Sequence, residues 1–162
     1  MKKYSILFIV INLVLLLGYF NYSVANKEKI LNDGQLVLLK LDPVDPRSLL
    51  QGDYMNLRYE LSDSIHYQEL PSRGYCVVRL DNKNRGTKVR FQEHEKVLNK
   101  GEVLIKYTMP ETWRINIGAE SYFFQEGKAE LYANAVYGGL RIDKKGNSLL
   151  VGLYDKDLKK IE

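Results

Sequence analysis

Asp53, Glu120 and Glu126 have the strongest claim to chemistry in this chain of 162 residues. Tyr122-Phe123-Phe124-Gln125 separates the two glutamates. If those aromatics pack inward, the glutamates stand at the edge of a pocket with Asp53. Two carboxylates so placed perform acid–base work or bind a basic peptide segment. The structural alternative makes Glu126 the start or cap of a following helix, where its charge complements the N-terminal dipole. Other constellations are weaker. His66 and His94 are the only histidines, and neither has a partner at metal-ligand spacing. Glu93-His94-Glu95 would send neighbouring side chains to opposite faces of a strand, so it reads as a solvated hairpin. No metal and no cofactor are therefore expected. The single cysteine, Cys76, lies in the apolar run Tyr75-Cys76-Val77-Val78. It excludes an internal disulfide and reads as a small buried hydrophobe. There is no glycine-rich phosphate loop and no Ser-His-Asp order. The net charge of +4 is interspersed with acidic residues, which suits weak attraction to anionic lipid but does not indicate nucleic-acid binding.

The elements that must position these groups are mostly strands. Residues 35–41 (QLVLLKL) form a nearly continuous apolar run, as expected for a strand covered on both faces. Pro43 and Pro46 end it, and residues 47–51 have room for one helical turn before Gly52. Residues 54–61 alternate, with Asn56, Arg58 and Glu60 on one side and Leu57, Tyr59 and Leu61 on the other. Residues 74–80 and 87–92 flank the polar loop 81–86 and predict a hairpin. A turn at Asn99-Lys100-Gly101 precedes a strand at 102–107. Trp113, Ile115 and Ile117 alternate with Arg114 and Asn116, giving another strand. Residues 136–142 and 148–154 around Asp143-Lys144-Lys145-Gly146-Asn147 carry the clearest hairpin signal. Within 126–135, Ala129, Leu131, Ala133 and Ala135 favour a short helix on the sheet. The fold class is mainly β (α+β), an antiparallel barrel-like or sandwich domain with one or two short helices.

Gly52-Asp53-Tyr54-Met55-Asn56-Leu57-Arg58-Tyr59 resembles the signature of the GDYXXLXY family. Gly52, Asp53, Tyr54, Leu57 and Tyr59 occupy every specified position. The lead-in at 45–51, the aromatic-then-Glu-Gly block at 120–127 and the closing hairpin at 140–153 are similar to the family as well. The resemblance implies a membrane-anchored exported protein, often associated with multi-spanning membrane proteins, and brings no activity, cofactor or catalytic residue. Physically, Gly52 permits a turn into the strand and Asp53 can close an Asx-type turn. A buried tyrosine hydroxyl needs a partner, which Asp53 or Glu126 could supply. A short loop ending in Gly-Asp after a membrane anchor is also similar to type I signal peptidases. Val44 stands where that family has its nucleophilic serine, however, Ser48 is on the wrong part of the loop, and Lys106 is only the least unsuitable base.

Lys2 and Lys3 precede an apolar run over residues 4–20, about 25 Å as a helix at ~1.5 Å per residue. Extension to Val24 suits a bilayer core of about 30 Å, with Tyr19, Phe20 and Tyr22 at the interface. Ser23-Val24-Ala25 also offers a signal-peptidase site, giving a cleaved and released alternative. The expected organisation is a membrane anchor or signal segment over 1–25, a short stalk over 26–34 able to begin or end in helix, and a β-rich domain over 35–162. The positive-inside rule sends the C-terminal domain out of the cytoplasm from a single-pass inner-membrane helix. The functional expectation is a non-enzymatic accessory or binding protein. It would hold the bilayer through residues 4–24 and a multi-spanning membrane protein through Asp53, Tyr54, Tyr59, Arg114, Phe124 and Glu126. The alternative is a hydrolase or small-ligand binder using Asp53 and Glu126 beside an aromatic pocket.

Overall fold

The structure is a computed structural model and describes residues 2–42, 54–62, 70–111, 114–125 and 127–162. Its first element is a continuous helix, α1 (Lys2–Asp33), which absorbs the polar stretch expected as a stalk. The helix stops at Gly34, whose N–H still donates to the Ile30 carbonyl at 2.9 Å. A Cβ at position 34 would lie 2.3 Å from the Ile30 oxygen and 3.1 Å from the Ile142 nitrogen, so only glycine fits this junction. Arg141 Nη1 donates to the Gly34 carbonyl at 2.8 Å, satisfying an acceptor that the helix end would leave without a donor. The chain passes from there directly into β1 (Gln35–Lys40).

Beyond β1 follow β2 (Tyr54–Asn56), β3 (Arg73–Leu80), β4 (Arg85–Gln92), β5 (Glu102–Glu111), β6 (Arg114–Asn116), β7 (Ser121–Phe123), the single-turn helix α2 (Ala129–Tyr132), β8 (Tyr137–Ile142) and β9 (Ser148–Tyr154). Seven strands form one sheet in the order β6-β5-β3-β4-β1-β8-β9, while β2 and β7 make a separate two-stranded ribbon. Every pairing in the large sheet is antiparallel except β1 with β4, which are parallel and meet only at Leu38–Arg85 and Leu39–Gly86. The sheet curls into a half-barrel. Its two ends approach where Lys106 N–H donates to the Gly146 carbonyl at 2.8 Å and Ser148 Oγ donates to the Ile117 carbonyl at 2.6 Å.

The expected strands at 35–41, 74–80, 87–92, 102–107, 136–142 and 148–154 are all present within a residue or a few of their bounds. β1 is buried on both faces, since Val37, Leu38 and Leu39 are each at most 3% exposed. The concave side holds the core, formed by Val37, Leu39, Cys76, Val78, Ile105, Tyr107, Leu140, Ile142 and Leu153 among others. Cys76 is fully buried, and burial pushes its thiol up to about 12, so it behaves as an apolar group. The strand expected over 54–61 is shorter than its alternation suggested. After Asn56 the chain leaves β7, Tyr59 bridges to Leu41 just past the end of β1, and a 3-10 turn follows at Glu60–Ser62. The inside–outside alternation survives this change of partner: Leu57, Tyr59 and Leu61 are buried, and Arg58 and Glu60 are exposed.

One charged cluster fastens β3, β4 and β5. The Glu102 carboxylate has no exposed surface and accepts both guanidinium nitrogens of Arg90 at 3.1 and 3.0 Å. It also accepts the Asn99 N–H at 3.0 Å and Asn99 Nδ2 at 3.1 Å. The Arg90 hydrogen bonds, followed by those of Asn99, hold it down at about 2, below its ordinary value near 4.5. A carboxyl depressed in the folded state stabilises the fold above its unfolded value, and that contribution fades as pH falls toward 2. The urea midpoint of wild type is therefore expected to fall more steeply than that of Glu102→Gln between pH 5 and pH 3. Parallel curves would refute the assignment.

Candidate functional site

The ribbon β2–β7 unites the two blocks singled out in the sequence. Tyr54 pairs with Phe123, Met55 with Tyr122 and Asn56 with Ser121. The Leu57 N–H continues the contact by donating to the Glu120 carbonyl at 2.7 Å. The signature strand and the aromatic block are thus one unit, although more than 60 residues part them in the chain. Behind the ribbon, Phe124 meets Tyr132 of α2 at a tilt and Tyr122 meets it edge-on, with ring centroids 5.2 and 5.1 Å away. Tyr132 is buried, and Tyr122 and Phe124 are half-buried. Burial, then the hydrogen bond with Tyr132, pushes the Tyr122 phenol up to about 12.

Tyr59 is the pivot. It is 3% exposed, and its hydroxyl donates to the Ala119 carbonyl at 2.6 Å. Burial raises its phenol well above the ordinary tyrosine value, with the negative charge of Glu120 adding to the effect. Its described partner is a backbone carbonyl, because the loop 117–120 folds over the ring. That loop is set by Gly118 at φ 80° and by the Ile117 N–H donating to the Glu120 carboxylate. Glu120 consequently closes a turn. The ring also rests on Gly138 of β8, where a Cβ would come within 2.9 Å of Cε1 and 3.0 Å of the hydroxyl.

The other expected site residues do not all gather here. Leu57 is buried in the core beside Tyr59. The backbone of Tyr54 lies in β2. Arg114 is half-buried on β6, at one edge of the large sheet. Its neighbour Ile115 joins the core, which directs Arg114 toward the opposite face. Gly52, Asp53 and Glu126 lie outside the described residues, as do the turn expected at 47–51, Trp113, Ser48 and Val44. Lys106, weighed as a base, is exposed and donates to Asn147 Oδ1 at 2.8 Å. His94 lies in an exposed loop, and among the described residues no group of three potential ligands could hold a metal.

Sequence reasoning missed Ala119 and Gly138, which fix the geometry around Tyr59, and Tyr132, which backs Tyr122 and Phe124. Of these only the Ile117-Gly118-Ala119-Glu120 turn carried a local signal, a glycine three residues after an apolar strand position. A second concavity, about 680 Å³, opens where β1 and β4 part. Lys40, Glu60, Asp81, Arg85 and Tyr137 line it, with Lys40 paired to Glu60 at 3.0 Å and Arg85 to Asp81 at 2.6 Å.

Comparison with known proteins places these features in one frame. A family model described as GDYXXLXY protein matches residues 16–153, which takes in half of α1, the signature strand, the aromatic block and both closing strands. Neither the curated proteins nor the solved structures offer a significant match.

Proposed function

We propose, because this chain belongs to the GDYXXLXY family and joins an apolar helix to a half-barrel without a break, that it is a membrane-anchored accessory protein serving a multi-spanning membrane partner. The observation that carries the reading is α1 itself. Among the described residues its apolar stretch from Ile6 to Phe20 is exposed throughout: Phe8 is 72% exposed, Leu15 68% and Ile9 67%. An apolar helix of this length, naked in water, has a bilayer as its natural solvent. The half-barrel is an ordinary packed domain, and its motif tyrosine is engaged in the core. Binding, rather than turnover, is what such a scaffold supports. In this reading the domain faces away from the cytoplasm, following the lysines ahead of the helix.

Crosslinking in intact cells, followed by mild-detergent purification and mass spectrometry, tests this. A membrane protein is expected to co-purify with wild type and to be lost with a folded Asp53→Ala, Glu126→Ala double variant. Recovery of the anchored protein alone would sink the reading. The pairing of Tyr54 with Phe123 supports a second one, in which Asp53 and Glu126 flank the aromatic cluster of Tyr122, Phe124 and Tyr132 as a small-ligand or hydrolytic site. That reading gains if the purified protein binds or turns over a small molecule and the double variant does not.

A further inference from the structure

We infer that the tip of the β8–β9 hairpin and the last turns of α1 form a basic collar that docks on the anionic phospholipid headgroups of the membrane holding α1. The inference rests on the membrane-anchor reading and extends it from the helix to the domain. Register fixes the placement. Gln35, one residue beyond the helix junction, pairs with Ile142, and Ile142 pairs with Ser148. The turn 143–147 therefore projects from the end of the sheet at which α1 emerges. Upstream of Ile30 the helix is almost entirely exposed, so it leads away from the domain instead of folding back over it.

Length agrees with this placement. At ~1.5 Å per residue, residues 4–25 span about 33 Å and residues 26–33 a further 12 Å or so. A hydrocarbon core of about 30 Å with headgroup layers of roughly 5–8 Å on each side leaves the helix end just above the phosphates. Lysine side chains at that height reach them.

The turn is rigid and its charge is one-sided. Asp143 Oδ1 accepts the N–H groups of Lys145 and Asn147 at 2.9 and 2.8 Å, and Oδ2 accepts Asn147 Nδ2 at 2.7 Å. Gly146 takes φ 81°, and its carbonyl is pinned by Lys106 N–H. The carboxylate is thus engaged inside the turn, whereas Lys144 and Lys145 are exposed at its tip. Lys106 joins them through Asn147. Lys27 and Lys29 are exposed on the helix beside this end, opposed by Glu28 and Asp33. Arg141, gripping the Gly34 carbonyl, ties hairpin to helix so that the two basic groups move together. Basic residues at this depth are attracted to an anionic surface, each by roughly fivefold in occupancy.

Lysine-specific acetylation of the full-length protein tests the collar in nanodiscs of phosphatidylcholine alone and of phosphatidylcholine with phosphatidylglycerol. Lys27, Lys29, Lys144 and Lys145 are expected to be modified several-fold more slowly in the anionic discs, with the difference lost at high salt. Lys156 and Lys159, beyond the far end of β9, are expected to react equally in both. Equal rates at the collar in discs that demonstrably contain the protein would overturn the proposal while leaving the anchor intact. Protection seen only in native membranes would also overturn it and assign the collar to an acidic protein. Failure of the protein to co-purify with discs of either kind would overturn the anchor reading, and the collar with it.

Discussion

Replacing Tyr59 with alanine is expected to destabilise the domain by about 3–5 kcal/mol, the range for removing a large aromatic side chain from a core. Against a total of roughly 5–15 kcal/mol for ordinary domains, that leaves little margin. The size follows from what the ring does. It is buried at the end of β1 opposite α1, it lies against Gly138, and its hydroxyl satisfies the Ala119 carbonyl. Tyr59→Phe removes only the hydroxyl and is expected to cost about 1–3 kcal/mol by leaving a buried acceptor unpaired. Gly138→Ala would drive a methyl group into the same ring, at about 1–3 kcal/mol for overpacking. Because both changes act on one contact, the Tyr59→Ala, Gly138→Ala double variant should be less unstable than the sum of its parts. Urea unfolding of the detergent-solubilised chain measures all four corners of this cycle. Additivity would mean that the ring does not rest on β8 as described.

That contact also shows which parts of the molecule were legible in sequence. Alternation at 54–61 put Leu57, Tyr59 and Leu61 on one face, which is the buried one, because side-chain direction depends on the local backbone. It could not tell that the chain would change partners from β7 to β1 at Tyr59, since the partners are remote in sequence. The hairpins at 81–86 and 143–147 were plain for the opposite reason: their signals are turn residues that act on their immediate neighbours. The apolar run of β1 showed a strand covered on both faces, but it did not reveal which remote strand would lie parallel to it. The polar stretch after Ala25 read as a stalk able to begin or end in helix, and the helix runs through it, past Lys27, Glu28 and Lys29, to end where Gly34 meets β8. For the site, the sequence identified the two blocks that β2 and β7 unite. It offered Asp53 or Glu126 as partner for a buried tyrosine hydroxyl, both outside the described residues, and did not foresee that the Tyr59 hydroxyl donates to the Ala119 carbonyl. A tertiary contact of that kind is invisible until the loop 117–120 is seen to fold over the ring.

Leu57→Ala carries the second large effect, about 2–5 kcal/mol for a buried leucine that leaves a cavity. Leu57 is 2% exposed, and its N–H donates to the Glu120 carbonyl where β2 ends. Truncation should therefore loosen the ribbon as well as the core, so amide exchange at 54–57 and 121–123 should accelerate together with the fall in the urea midpoint. Arg58→Ala, one residue away and exposed, is expected to change stability by no more than about 0.5 kcal/mol. This contrast separates two roles within the signature. Leu57 and Tyr59, the specified positions described in full, point into the half-barrel and build it. Of the unspecified positions, Asn56 and Arg58 are exposed on the other side, while Met55 is half-buried against the core. A partner that meets this strand at Asn56 or Arg58 would read side chains the signature leaves open, on a framework that Leu57 and Tyr59 build. If Leu57→Ala left the urea midpoint unchanged while abolishing partner recovery, this division would fail and the leucine itself would belong to the binding surface.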